Sequence, residues 1–260
     1  MASKQVTDRE KSSRAVAAAA NTHALEIAAG FERELAPHLK AGEEFPDIAL
    51  LSRLIGRKIA ADTAALVAAD GAHERELSDD AEPREQRDEA AMKVRAVLVD
   101  LRASIDTVYG APGLTKLGLD QAVSEDPSVL ATAAAAAAKV LGDGSIKLPK
   151  PRRAAMKVDR QGFAAEIDVE LPPLVKALTK VATEDREKEA TLGKKQGAMS
   201  KNDRSFTTGA GWLAASCTLA GLGDLAAKLR PSGRKPGRTA EEEEADDAPP
   251  EAQDTGDGGT

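Results

Sequence analysis

Apolar residues recur at helical spacing along two stretches of the chain, and a short polar segment separates them. A spacing of three or four residues is typical of the buried face of an amphipathic α-helix. The polar segment contains Pro83, which suits the first turn of a returning helix. The sequence therefore predicts a long antiparallel helical hairpin. Its apolar stripe comprises Ile48, Leu51, Ile55, Ile59, Leu66, His73, Leu77, Val94, Leu98, Leu101, Ile105 and Val108.

A second stripe of the same period follows and predicts a second hairpin. Its turn is expected between Gly193 and Gly197, and Asn202 or Asp203 is expected to cap the return helix. The pair Pro172–Pro173 predicts a kink or a fresh start within the first arm, because proline lacks the backbone donor. The stripe comprises Phe163, Ile167, Leu171, Leu174, Leu178, Val181, Leu192, Phe206, Trp212, Leu213 and Leu219.

The fold class that follows is all-α. We expect an elongated helical bundle built from the two long antiparallel hairpins, an N-terminal helix and a short Ala-rich helix. Along the chain this gives a flexible arm (1–11), a first helical segment with its hairpin (12–142), a basic linker (143–160), the second helical hairpin (161–230) and a disordered acidic tail (231–260).

The two hairpins share residue types at a constant offset. At this offset Leu66 matches Val181, Leu77 matches Leu192 and Leu98 matches Leu213. An internal duplication explains this agreement, and so does chance in an Ala-rich helical sequence. Both explanations stay open at the level of the sequence.

Charge is distributed unevenly along the 260 residues. The net charge is −7, from 36 basic and 43 acidic side chains. The end of the chain accounts for this excess, because the part before Ala240 is nearly neutral. A segment so polar cannot offset its ordering entropy by burial, which predicts disorder. Its acidic residues are Glu241, Glu242, Glu243, Glu244, Asp246, Asp247, Glu251, Asp254 and Asp257.

The chain contains one cysteine, Cys217, so it can form no internal disulfide. Its polar start lacks the apolar core of a secretory signal, and no apolar run approaches the length of a membrane span. We therefore expect a cytoplasmic location.

His73 is the residue most suggestive of chemistry. It shares a helix face with Asp70 and Glu76, and di-metal helical bundles use such carboxylate–imidazole pairs from two helices. The second hairpin offers Lys188 at the corresponding position, so no second pair exists. We interpret His73 as a histidine partnered near a hairpin end, and we predict no catalytic, cofactor-binding or metal-binding residue.

Other candidates also have ordinary interpretations. His23 and His38 stand on different elements without obvious partners, and Cys217 is expected to be a buried structural thiol. Trp212 is expected to anchor the core. The small residues from Ser205 to Trp212 either allow close contact with a facing helix or weaken their own helix.

Two functional hypotheses remain. The first is a non-enzymatic structural or interaction protein that binds itself or a protein partner through helix faces. The second is a nucleic-acid-associated protein that uses basic segments 147–160 and 230–238, with the acidic tail as a modulator. We favour the first, because no aromatic residues interleave with the basic ones for base stacking and a solvated linker is the better explanation of the basic segments. No membrane, cofactor or small-molecule partner is indicated.

Overall fold

The computed structural model describes residues 3–79 and 81–247, and in this part of the chain it is all-α. The helices form where the apolar period is 3.6 residues, and no β-strand occurs among the described residues apart from an isolated bridge between Pro231 and Thr239. The helices are α1 (Lys4–Thr22), α2 (Ala24–Leu35), α3 (Ile48–Asp79), α4 (Ala81–Tyr109), α5 (Ala111–Leu117), α6 (Pro127–Gly142), α7 (Arg160–Leu219), α8 (Gly223–Leu229) and α9 (Ala240–Asp247), with a 3₁₀ turn at Ala36–His38.

The chain divides into two compact units. The first unit contains Met1–Glu74 and Thr191–Thr260, and the second contains Arg75–Ala190. The basic linker joins α6 to α7 and so lies inside the second unit. Each unit has its own apolar core. The first core includes Val16, Ala20, Ile27, Ile59, Phe206, Leu213 and Cys217, and the second includes Val94, Leu98, Leu101, Ile105, Leu130, Leu141, Ile167 and Leu174.

The two arms of the first predicted hairpin are both helical, as α3 and α4, but their stripes do not share a core. The stripe of α3 packs with α1, α2 and the C-terminal part of α7, whereas the stripe of α4 is covered by α5, α6 and the N-terminal part of α7. The hairpin pairing is therefore not confirmed. Asp80, at the predicted reversal, lies outside the described residues.

The buried face of α3 also differs from the predicted stripe. Leu51 and Leu77 are exposed, while Ser52, Asp62 and Asp70 are buried. Apolar periodicity alone misplaces this face, because buried polar side chains with partners are invisible to it.

The prediction of a second hairpin is wrong. Its arms form one continuous helix, α7, that runs through the expected turn without interruption. Helical glycine costs roughly 1 kcal/mol relative to alanine. Contacts with α3 on both sides of Gly193 and Gly197 outweigh that cost: Thr191 bonds to His73, Lys195 to Asp70, and Asn202 to Thr63.

The fresh helix start predicted at Pro172–Pro173 does not occur either, because α7 continues through both prolines. These prolines remove the donors that would bond to the carbonyls of residues 168 and 169. Asp168, Val169 and both prolines are exposed. Water can therefore satisfy the freed carbonyls, which lowers the cost of keeping proline inside a helix.

The N-terminal arm is ordered from Ser3 onward, in contrast to the flexible arm predicted for residues 1–11. Helix α1 begins at Lys4, and Val6 is wholly buried. The backbone N–H of Ser3 donates to Asp70 Oδ2 at 2.8 Å, and the guanidinium of Arg9 bonds to both carboxylate oxygens of Asp203. These partners lie far away in the sequence, so a local reading of a polar segment could not reveal them.

The tail predicted to be disordered from residue 231 is structured as far as Asp247. Residues 248–260 lie outside the described part of the chain. Thr239 and Glu242 form a reciprocal capping box at the start of α9, with Thr239 N–H donating to Glu242 Oε2 at 3.2 Å and Glu242 N–H to Thr239 Oγ1 at 3.4 Å. The Ser12 hydroxyl of α1 also donates to Glu242. Ion pairs and caps, not apolar burial alone, hold this segment.

Among the described residues, no helix has both the length and the apolar composition that a membrane crossing requires.

Candidate interaction groove

A groove of about 710 Å³ runs between α1 and α3 in the first unit. Helix α1 forms one wall. Its repeated alanines favour helix formation, and Val16 and Ala20 on its opposite side are buried in the core. Helix α3 forms the other wall. We call this feature the α1/α3 groove; its lining residues are Glu10, Ser13, Arg14, Ala17, Ala18, Asn21, Ala60, Thr63, Ala64, Val67 and Ala68.

Alanine is the most frequent residue in the walls of the α1/α3 groove, with five of the eleven lining residues. Ala18, Ala60, Ala64 and Ala68 are exposed to solvent. Side chains this small leave the helix backbones close to the surface, so another helix can approach both of them closely. The groove is therefore a surface against which another helix could pack.

Ser13 is the notable polar residue of the groove. Its side chain is 1 % exposed, and its hydroxyl has no hydrogen-bond partner. The hydroxyl of the neighbouring Ser12, in contrast, lies within hydrogen-bonding distance of both Glu242 and the Asp8 carbonyl, the latter at 3.1 Å. A buried hydroxyl without a partner costs on the order of 1–3 kcal/mol.

A second hydroxyl in the groove, that of Thr63, is fully used. It lies 2.8 Å from both the Ile59 carbonyl and Asn202 Oδ1. Asn202 is itself wholly buried, and its Nδ2 has no partner. Polar groups beneath an alanine surface thus set the register of α3 against α7, because any shift would leave more of them unpaired.

The rim of the groove carries both signs of charge. Arg14 Nη2 and Glu10 Oε1 are 2.5 Å apart, and the Arg14 side chain is 79 % exposed. Lys11 and Ala15, on the next ridge of α1, are exposed and line a smaller adjoining depression with Thr7 and Ala18. Helix α1 therefore presents both a ridge and one wall of a groove.

Two buried carboxylates on α3 fix the framework behind the groove. Lys195 and Ser3 bond to Asp70, and although burial raises the pKa of that carboxyl, these partners outweigh burial and lower it. Burial likewise raises the pKa of Asp62, but hydrogen bonds from Lys58, Ser205 and Lys201 lower it to about 2. Both groups are therefore ionised at neutral pH.

Among the described residues, the group of side chains placed closely enough to hold a metal ion does not include His73. Its Nδ1 lies 3.1 Å from the Thr191 hydroxyl, whereas the neighbouring carboxylate of Asp70 forms an ion pair with Lys195. His73 is buried, and its hydrogen-bond partner is a threonine hydroxyl on α7, where the sequence predicted a histidine near a hairpin end. His23 lies 2.9 Å from Glu26 on the surface.

Cys217 is wholly buried, and burial, with a smaller contribution from Glu26, raises the pKa of its thiol to about 11. The thiol is therefore protonated at neutral pH and inert, as predicted. Trp212 stacks on Phe31 with 6.4 Å between ring centroids and packs against the first core. A side chain at Gly209 would lie 2.9 Å from Ile55 and Ile59, so glycine there permits close helix contact.

Sequence reasoning missed one acidic cluster. Carboxylate oxygens of Glu76, Glu184 and Glu187, in the second unit, lie within 4.8 Å of one another. Three such oxygens could ligate a hard cation such as Ca²⁺. Glu184 and Glu187 share one helix face, a spacing visible in the sequence, but only the tertiary structure brings Glu76 to them.

The two basic segments have different surroundings. In segment 230–238, Arg234 pairs with Glu243, and Arg238 Nη1 lies 3.8 Å from Asp8 Oδ2. In segment 147–160, Arg160 is bound to backbone carbonyls. The remaining cations of that segment, which are exposed, are Lys147, Lys150, Arg152, Arg153 and Lys157.

The chain matches no protein-family model, no curated protein and no solved structure.

Proposed function

We propose that this protein works by self-association, with the α1/α3 groove of one copy receiving helix α1 of a second copy. The observation that carries the proposal is the solvent-open α1/α3 groove itself, in which exposed alanines of two neighbouring helices face the solvent. Such a surface buries little in the isolated chain, and another helix is the natural object to cover it.

A second copy fits because α1 offers both parts of the contact. Its ridge at Lys11, Ala15 and Ala18 stands beside the groove that its other side helps to form. Under a two-fold axis, each ridge enters the groove of the other copy, which is how isologous interfaces are built. The antiparallel arrangement also brings Glu10 of each copy toward Arg14 of the other, so the rim charges are complementary.

The contact between the two copies is then mainly apolar, with alanine against alanine, and Glu10 and Arg14 at the rim supply its charged part. The proposed activity is binding, and turnover of a substrate has no part in it.

The experiment measures the mass of the full chain in solution by light scattering and sedimentation over a range of micromolar concentrations. Ala64→Glu places a charged side chain in the groove, whereas Ala65→Glu places the same group at an exposed neighbouring position outside the groove lining. We expect the wild type and Ala65→Glu to form a dimer, and Ala64→Glu to be monomeric with an unchanged circular dichroism spectrum.

A strictly monomeric wild type would overturn the proposal, as would equal dimerisation of both variants. A monomer that instead captures a different helical protein through the groove also overturns it, because the occupant would then not be a second copy.

A further inference from the structure

We propose that the basic linker binds the phosphate backbone of nucleic acid. The linker follows α6 and precedes α7, and it presents five cationic side chains within eleven consecutive positions, 147–157. All five are exposed: Lys147, Lys150, Arg152, Arg153 and Lys157. The surface lies in the second unit and is separate from the α1/α3 groove.

None of these five cations forms an ion pair among the described residues. The acidic groups of the linker have other partners. Asp143 accepts a hydrogen bond from the Ser145 N–H at 2.8 Å, and Asp159 accepts one from the Gly162 N–H at 2.9 Å. The positive charge of the linker is therefore free to meet an external anion, unlike that of Arg234 and Arg238.

The backbone of the linker is fixed at both ends. Arg160 Nη2 donates to the carbonyls of Val140 at 2.8 Å and Asp143 at 3.0 Å, and its Nη1 donates to Ile146 at 3.1 Å. The N–H of Arg152 donates to the Val108 carbonyl at 2.8 Å. Since the backbone is already ordered, binding loses less conformational entropy than it would with a flexible basic segment.

Arg152 is also positioned by its side chain. Its guanidinium lies directly against Gly110, which has φ of 70° and no room for a side chain on that side. Gly110 therefore serves both to turn the chain after α4 and to seat a cation of the linker.

The exposed residues of the linker favour nucleic acid over a membrane. Leu148 and Val158 are half-buried and pack against the second core. Ile146 and Met156 are half-buried as well, so the linker fully exposes no large apolar side chain to a bilayer. The linker contains no aromatic residue for base stacking. Contact with phosphates alone positions a protein without reading sequence, so we expect binding that is sequence-independent and strongly salt-dependent.

The probe is a fluorescein-labelled duplex DNA of about two helical turns, with a single-stranded RNA of equal length beside it. Fluorescence anisotropy gives the affinity of the full chain between low and moderate salt. The triple variant K150Q/R153Q/K157Q removes three cations of the linker. The control K176Q/K180Q/K194Q removes three exposed lysines of α7 and changes the net charge equally.

We expect the linker variant to bind duplex DNA at least about tenfold more weakly, with a salt-dependence slope reduced by about 3, since each lost phosphate contact contributes ~0.9. The control variant should retain the wild-type slope, and the RNA should bind with no more than a modest preference. The proposal is overturned if the wild type binds neither probe at low salt, or if the two variants weaken equally. Binding to phosphatidylserine vesicles without binding to either nucleic acid would also overturn it.

Discussion

Asp70 on α3 and Lys195 on α7 form an ion pair with 2.6 Å between Oδ1 and Nζ, in which the Asp70 side chain is wholly buried. Ser3 adds two further hydrogen bonds to the same carboxylate, from its N–H and its hydroxyl. One charged group therefore joins the start of α1, the middle of α3 and the glycine-containing part of α7.

Removing the lysine of this pair should strongly destabilise the protein. Lys195→Met leaves a buried carboxylate without its counter-ion, and we expect a loss of about 3–5 kcal/mol in the free energy of unfolding. The double variant Asp70→Asn/Lys195→Met should recover much of that loss, because no unpaired charge remains. Denaturant titration measures both, and Lys194→Met at the exposed neighbouring position is the control. Equal effects of the two lysine substitutions would contradict the role of the pair.

The free energy of unfolding should fall at low pH because Asp62 becomes protonated. Its folded-state pKa of about 2 lies below its usual value of 3.8. Its contribution of about 2 kcal/mol is therefore fully present above pH ~4 and is lost as the pH falls toward 2. Asp62→Asn should flatten the unfolding free energy over that range, while Asp100→Asn, at an exposed carboxylate, should not. A wild-type profile that is level between pH 4 and 2 would argue against this ion cluster.

Substitutions at Gly193 and Gly197 test whether α7 is continuous. A Cβ at Gly193 or Gly197 meets no atom within 4 Å, and neither glycine has a positive φ. Each substitution by alanine should therefore stabilise the protein by about 0.5–1 kcal/mol. Gly118 has equally open surroundings but a φ of 68°, so Gly118→Ala should destabilise. Melting temperatures that fall for Gly193→Ala and Gly197→Ala would favour a turn instead of a helix.

The packing of the tail against α1 depends on Glu242, which caps α9 and accepts from Ser12. We expect Glu242→Ala to release residues 232–243, with a local cost of about 1 kcal/mol or more. Amide exchange of this segment and tryptic cleavage after Arg238 should both accelerate. Glu244→Ala, at an exposed position of the same helix, supplies the comparison. Rapid cleavage in the wild type would show that the segment is not held.

Leu66 and His73 separate apolar core packing from a single buried hydrogen bond. Leu66→Asp buries a carboxylate without a partner and should cost several kcal/mol, roughly 3–5. His73→Ala removes one hydrogen bond to Thr191 and should cost about 1 kcal/mol. Chemical denaturation ranks the two variants, and metal analysis of the wild type provides a further check. A stoichiometric metal lost in His73→Ala would reverse the interpretation of His73.

Some tail structure was visible in the sequence. Thr239 followed three residues later by Glu242 is a capping-box signature, and it marks the start of α9 correctly. The prediction of disorder rested on the low hydrophobicity of the segment alone and did not use this signal. The groove was less accessible: the alanines of α1 and α3 indicate helix, but nothing local shows that Ala18 and Ala64 line one surface or that Ser13 lacks a partner.

The sequence by itself determined the helical class and the burial of Cys217, because periodicity and residue type are local properties. Only the tertiary structure decided that α7 is continuous, that α3 buries Asp62 and Asp70, and that the N-terminal and C-terminal segments pack on the first unit. The physical reason is that these outcomes depend on polar partners far apart in the chain. A glycine pair or a buried carboxylate is unfavourable locally, and it becomes stable only when Lys195, Ser3 or Asn202 is brought within hydrogen-bonding distance.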